Sequence, residues 1–149
     1  MNSKIYPIGV QNFESLRKDD YFYIDKTALV YQLARTGRYY FLSRPRRFGK
    51  SLLISTLEAY FQGKKELFEG LAIETLEKDW IKHPILHLDL NIEKYDVPES
   101  LDNILEKSLV AWEKLYGAEP SERSFSLRFA GIIQRACEKT GQRVVILVD

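Results

Sequence analysis

"FLSRPRRFGKSLL", residues 41–53, decides how this chain is read. Phosphate-binding turns of nucleotide-hydrolysing enzymes follow G-x-x-x-x-G-K-[ST]: successive backbone amides wrap the phosphates, the Lys reaches the β- and γ-phosphates, and the hydroxyl ligates Mg²⁺. Laid on Arg44, Pro45, Arg46, Arg47, Phe48, Gly49, Lys50 and Ser51, every position fits except the first, where Arg44 stands for glycine. Gly49 is kept where the backbone must approach an anion just ahead of a helix. Arg44 restricts φ and ψ as the chain leaves the preceding strand, which implies an altered loop entry. It removes no group that touches phosphate or metal.

Such a motif is informative only between a strand and a helix. "YYFLS", residues 39–43, is a short aromatic and apolar run after Gly37 and is predicted to be that strand. Beyond the motif, Leu53, Leu57, Tyr60 and Phe61 recur at helical spacing, and Gly63 follows as a stop signal. The competing account, a chance GKS in a solvated basic loop, needs strand, turn and helix to coincide around it by accident.

Three stretches, "YFYIDKTALVYQL" (21–33), "FLSRPRRFGKSLLISTLEAYFQG" (41–63) and "KELFEGLAIE" (65–74), together resemble the AAA-ATPase-like family of bacteria and archaea. Members of that family typically read RPRRFGKS, so the missing glycine is what the resemblance implies. It covers the N-terminal half closely; from Ile92 to Gln142 it rests on element order. Longer relatives often carry a second domain resembling PD-(D/E)xK nucleases, of which nothing is seen in this sequence.

Composition agrees with a soluble globular unit: 149 residues, 45% apolar, net charge +1. Near-neutral charge with no basic stripe gives no electrostatic footprint for nucleic acid beyond the RPRR loop. The one cysteine, Cys137, lies among apolar positions and is expected to fill core. No apolar run approaches the ~18 residues needed to span a bilayer, and the N-terminus lacks a signal-peptide core, so a cytoplasmic protein is expected. His83 and His87 lack the partners of a metal site.

Elements alternate along the rest of the chain. "YFYI" reads as a short extended piece, and Asp25 is placed to cap a helix through Leu29, Val30 and Leu33 that stops at Gly37. "ILHLDL" (85–90) reads as a strand after His83-Pro84. A long helix with Pro98 in its first turn runs through Leu101, Ile104, Leu105, Leu109, Trp112 and Tyr116 to Gly117, and another spans 125–139 and ends at Gly141. "RVVILVD" is the last strand. The expected fold class is α/β: a P-loop NTPase with a parallel sheet flanked by helices, its ligand sites at the carboxyl ends of the strands, cut off after the Walker B strand. Residues 1–149 are expected to be the N-terminal part of an AAA-like P-loop ATPase domain.

In this reading Lys50 is the catalytic residue, facing the β- and γ-phosphates of ATP. The amides of Arg46, Arg47, Phe48, Gly49, Lys50, Ser51 and Leu52 cradle the phosphates, and Ser51 with Asp149 holds Mg²⁺. Asp89, closing "ILHLDL", is the rival aspartate; it ranks second because AAA-like hydrolases resemble an order with one strand between the P-loop strand and the metal-binding strand. The side chains of Arg46 and Arg47 are open to three roles: phosphate, a neighbouring subunit or partner, or solvent. Asp25-Lys26-Thr27 stands where related ATPases place adenine contacts, with helix capping an equal explanation for Asp25. The implied activity is ATP hydrolysis in the complete protein, with this segment alone inactive or very slow, since a water-orienting residue and a polar sensor would follow Asp149. A nucleotide-gated module without turnover is the alternative, and a nucleic-acid-binding module the weakest. The expected partners are nucleotide and a C-terminal domain, with assembly into an oligomer compatible with the sequence.

Overall fold

N-cap side chains open two of the helices in the computed structural model, which describes residues 3–43, 49–91 and 96–149. The chain divides into two units, Met1–Lys82 and His83–Asp149.

The first unit is helical: α1 (Phe13–Lys18), α2 (Thr27–Thr36), α3 (Lys50–Phe61), a 3₁₀ turn (Lys65–Phe68) and α4 (Ala72–Leu76). Asn12 starts α1 by accepting the Ser15 N–H at 3.0 Å. Asp25 starts two helices. Its Oδ1 accepts the N–H and hydroxyl of Thr27 at 2.9 and 2.6 Å, its Oδ2 accepts the Ala72 N–H at 2.7 Å, and the Thr27 hydroxyl accepts the Ile73 N–H at 3.1 Å. Capping is therefore the role the fold gives to Asp25. Burial pushes its carboxyl up, but the bonds from Thr27 and Ala72 outweigh this and hold it below the usual carboxylate range. Asp25→Ala is expected to lower the stability of this unit by about 1–2 kcal/mol, the scale of a lost N-cap. A thermal melt checks this; an unchanged transition would contradict the double-capping role.

Aromatic rings fill the core beneath these helices. Phe13 and Phe68 are fully buried, with centroids 4.8 Å apart, and Trp80 lies 5.2 Å from Phe68 and 5.9 Å from Tyr60. The Arg17 guanidinium ties α1 to the 3₁₀ turn by donating to the carbonyls of Leu67 and Glu69 at 2.8 and 2.6 Å.

The second unit runs β1 (Ile85–Leu88), α5 (Ser100–Tyr116), α6 (Phe125–Thr140) and β2 (Val145–Val148). The strands pair in parallel, with Ile85 opposite Val145 and Leu88 opposite Val148, which the long helical crossover permits. Leu86, Leu109 and Ile132 form its buried core, with Trp112, Tyr116, Phe129, Ile133 and Val144 packed around them. Ser124 caps α6 through the Leu127 N–H, and Gly141 closes it in the left-handed conformation. Gly131 lies mid-helix because a Cβ there would occupy the space of the Glu122 carboxylate, which Arg135 holds at 2.9 Å. Arg128 joins Glu106 and Glu113 of α5 to α6.

Helices with a small parallel sheet make this an α/β arrangement, with several departures from expectation. Residues 39–43 form no strand: Tyr39 and Phe41 are each 92% exposed. Aromatic content supplies strand propensity, but a strand exists only where a neighbour completes its ladder. The expected strand 85–90 stops at Leu88, and Pro98 precedes α5 instead of lying in its first turn. Cys137 is exposed, because its position on α6 turns away from the Ile132 and Ala136 face. Helices α1 and α4 and the 3₁₀ turn are too short to leave a clear periodicity. Among the described residues no helix is long and apolar enough to cross a membrane.

Candidate functional site

Gly49 adopts φ +80°, ψ 17°, and α3 begins at the next residue. No described atom lies within 4 Å of where a Cβ would stand on Gly49, so the demand for glycine here is conformational: a left-handed residue feeding directly into a right-handed helix. That juxtaposition turns successive N–H groups toward one point, an arrangement suited to anions. The first helical carbonyl bond, from the Leu53 N–H to Gly49, is 3.0 Å long. Helix geometry therefore leaves the amides of Lys50, Ser51 and Leu52 without an intrahelical acceptor, and no side chain caps them among the described residues. Lys50 and Ser51 stand on this turn, half-buried. Arg46, Arg47 and Phe48, together with Arg44 and Pro45, lie outside the described residues.

The two aspartates that the sequence sets as rivals are direct neighbours. The Asp149 N–H donates to the Leu88 carbonyl at 2.9 Å, and the Asp149 carbonyl accepts the Leu90 N–H at 2.7 Å. Those two bonds flank Asp89, so Asp89 and Asp149 occupy matching positions at the carboxyl ends of adjacent parallel strands. Asp89 also accepts the Asn91 N–H at 2.9 Å, which turns the chain sharply after β1. Hard oxygen donors of this kind suit Mg²⁺. His83 has a structural role, its Nδ1 lying 2.9 Å from the Arg143 carbonyl. No cluster of three or more His, Cys, Asp or Glu side chains suited to a metal occurs among the described residues.

One polar centre had no signal in the sequence. Glu77 is buried, 6% exposed, and its carboxylate takes the Tyr60 hydroxyl, the N–H groups of Lys78 and Asp79 at 3.1 and 3.0 Å, and Arg35 at 3.5 Å. Burial pushes the carboxyl up, but these donors, Tyr60 first, hold it below the usual range. The same burial, with Glu77 alongside, pushes the Tyr60 phenol well above its ordinary value. In sequence, Glu77 sits beside Lys78 and Asp79 and looks like any solvated charge; only its partners distinguish it.

Comparison with known proteins gives the family. A family described as "Predicted AAA-ATPase", the AAA-ATPase-like family, matches residues 7–149. A protein of Azotobacter chroococcum mcd 1, named as an uncharacterized protein in the vnfD 5′ region, is 40% identical over 151 aligned positions covering the whole of this chain. The chain spans 29% of that relative's length. No solved structure matches. A match across nearly its whole length establishes that the chain belongs to the AAA-ATPase-like family.

Proposed function

We propose that this chain is the ATP-binding part of a P-loop NTPase, residues 1–149 forming the N-terminal portion of an AAA-like ATPase domain, and that the longer protein hydrolyses ATP. The observation that carries the proposal is the start of α3: a left-handed Gly49 leads into the amides of Lys50, Ser51 and Leu52, which no side chain among the described residues caps, where the GKS motif reserves a place for phosphate. Lys50 neutralises the β- and γ-phosphates. The amides of residues 46–52 cradle them, and Ser51 and Asp149 supply oxygen ligands for Mg²⁺, with Asp89 beside Asp149 as a further carboxylate. The assignment of Ser51 and Asp149 to one ion rests on motif order. Held by Ser51 and Asp149, Mg²⁺ would supply positive charge beside the phosphates, while the protein contributes position and electrostatics.

Titration calorimetry with ATP tests this. Binding is expected in Mg²⁺ and to weaken roughly tenfold or more in EDTA or in Asp149→Ala, the scale that even outer partners of a metal ligand reach. Asp89→Ala is expected to keep most of the Mg²⁺ enhancement. If Asp89→Ala abolishes it and Asp149→Ala does not, the metal role passes to Asp89; no ATP binding in either medium would end the proposal.

A further inference from the structure

The first turn of α3 does the proposed work, yet the protein grips this helix by its other end. Lys50 to Ser55 are half-buried, whereas Thr56, Leu57, Ala59 and Tyr60 are buried. Two side chains of α3, Ser55 at its middle and Tyr60 near its end, reach other elements. Ser55 Oγ accepts the Phe13 N–H of α1 at 2.9 Å and lies 3.2 Å from the Gln11 carbonyl. Tyr60 donates its hydroxyl to Glu77, just beyond α4. Close packing holds the buried face of α3 against the core, and a directed hydrogen bond adds a fixed distance and angle to a partner on another element. The Glu77 end is rigid in turn: its carboxylate is held by two backbone N–H groups of its own turn and by Arg35 of α2, whose guanidinium sits 4.6 Å over the Tyr31 ring.

We infer that Tyr60 and Glu77 are positioning residues for the nucleotide site: their hydrogen bond fixes the axial and rotational setting of α3, and so the placement of Lys50 and Ser51 about 15 Å away along the helix. This rests on the reading of the first turn of α3 as the phosphate site. A rigid helix transmits a small shift at one end to the other undiminished, and phosphate-binding groups lose much of their value when displaced by about 1 Å.

Tyr60→Phe is the cleanest test, since it removes only the hydroxyl and keeps the ring packed against Phe68 and Trp80. Calorimetry with ATP and Mg²⁺ on the 149-residue chain separates the two roles a residue of this kind can have. A purely structural residue lowers the folded fraction f, read from a thermal melt of the same protein, and raises the apparent Kd by the factor 1/f alone; a positioning residue raises Kd in a protein that remains folded. The expected result is a Kd raised roughly threefold to thirtyfold, the range seen for substitutions that act on a site without touching the ligand. Glu77→Gln, which keeps an acceptor for the backbone N–H groups, is expected to shift Kd in the same direction. Combined with Tyr60→Phe it should add little, since both act on one bond. Unchanged Kd in both variants, with Lys50→Ala still weakening binding, would overturn the positioning role and leave the site standing. If Lys50→Ala also binds like wild type, the phosphate site itself is wrong.

Discussion

Replacing Lys50 by Ala is expected to weaken ATP binding by at least about thirtyfold, because truncating one partner of a close charge pair costs about 2–5 kcal/mol. The fold should barely register the change. Lys50 is half-buried on the first turn of α3, a place where a lysine packs its stem and keeps its ammonium in water. Its thermal transition should therefore stay close to that of wild type, within the ~0.5 kcal/mol typical of surface substitutions. Titrating a fluorescent ATP analogue into both proteins decides the matter. Equal affinities would refute the site, and a collapse of the thermal transition would show that Lys50 is needed for folding instead. Lys50→Arg is an informative companion: it keeps the charge but replaces a compact ammonium with a planar fork, and should recover only part of the affinity.

The second large effect is on stability. Glu77→Ala leaves the Tyr60 hydroxyl and two backbone N–H groups without their acceptor and removes the carboxylate facing Arg35. With about 1–3 kcal/mol for each buried group left unsatisfied, and Arg35 half in solvent, a loss of about 3 kcal/mol is expected. Against the ~5–15 kcal/mol of a typical domain, that is a large share for a helical unit of this size. Trp80 and Trp112, the two tryptophans of the chain, lie in different units, so Trp112→Phe leaves Trp80 to report on the first unit alone. Denaturant unfolding followed by Trp80 fluorescence should show a clearly lower midpoint for Glu77→Ala, and an unchanged midpoint would contradict the buried hydrogen-bonded role. Acid should act the same way. Because the Glu77 carboxyl is held low in the folded state, its contribution is complete above the unfolded value of about 4.3 and is lost as pH falls through the lower folded value. Asp25 contributes with the same sign. The midpoint of the first unit should thus be level near neutrality and fall below about pH 4, less steeply in Glu77→Ala.

Some of this was legible before any coordinates. Stops are local: Gly141, read as the end of α6, closes it through a bond to Cys137 four positions back. The GKS motif likewise marks the beginning of α3 because a left-handed glycine followed by helix formers leaves the backbone few alternatives. Asp25 had two readings, and the one confirmed by the fold, capping, is also the one that needs only near neighbours, although its second bond, to Ala72, does not. The "YYFLS" segment shows the limit of local reasoning. Its residues favour a strand, but favouring a strand does not provide a partner for one, and Tyr39 and Phe41 stand exposed.

What the sequence determined by itself, then, is the chemistry on offer: a glycine-led helix start bearing Lys50 and Ser51, parallel strands that each run into an aspartate, and membership of a family. Only the tertiary structure decided who meets whom. Asp89 and Asp149 were read as competitors for one metal-binding role and ranked by strand order, whereas strand register places them side by side. Glu77 and Tyr60, unremarkable as letters, become a buried pair because α4 and α3 close over the same aromatic core. Caps and turns are governed by forces acting over a few residues, which a sequence displays directly. Register and burial depend on how distant segments share one core, and no short stretch contains that information.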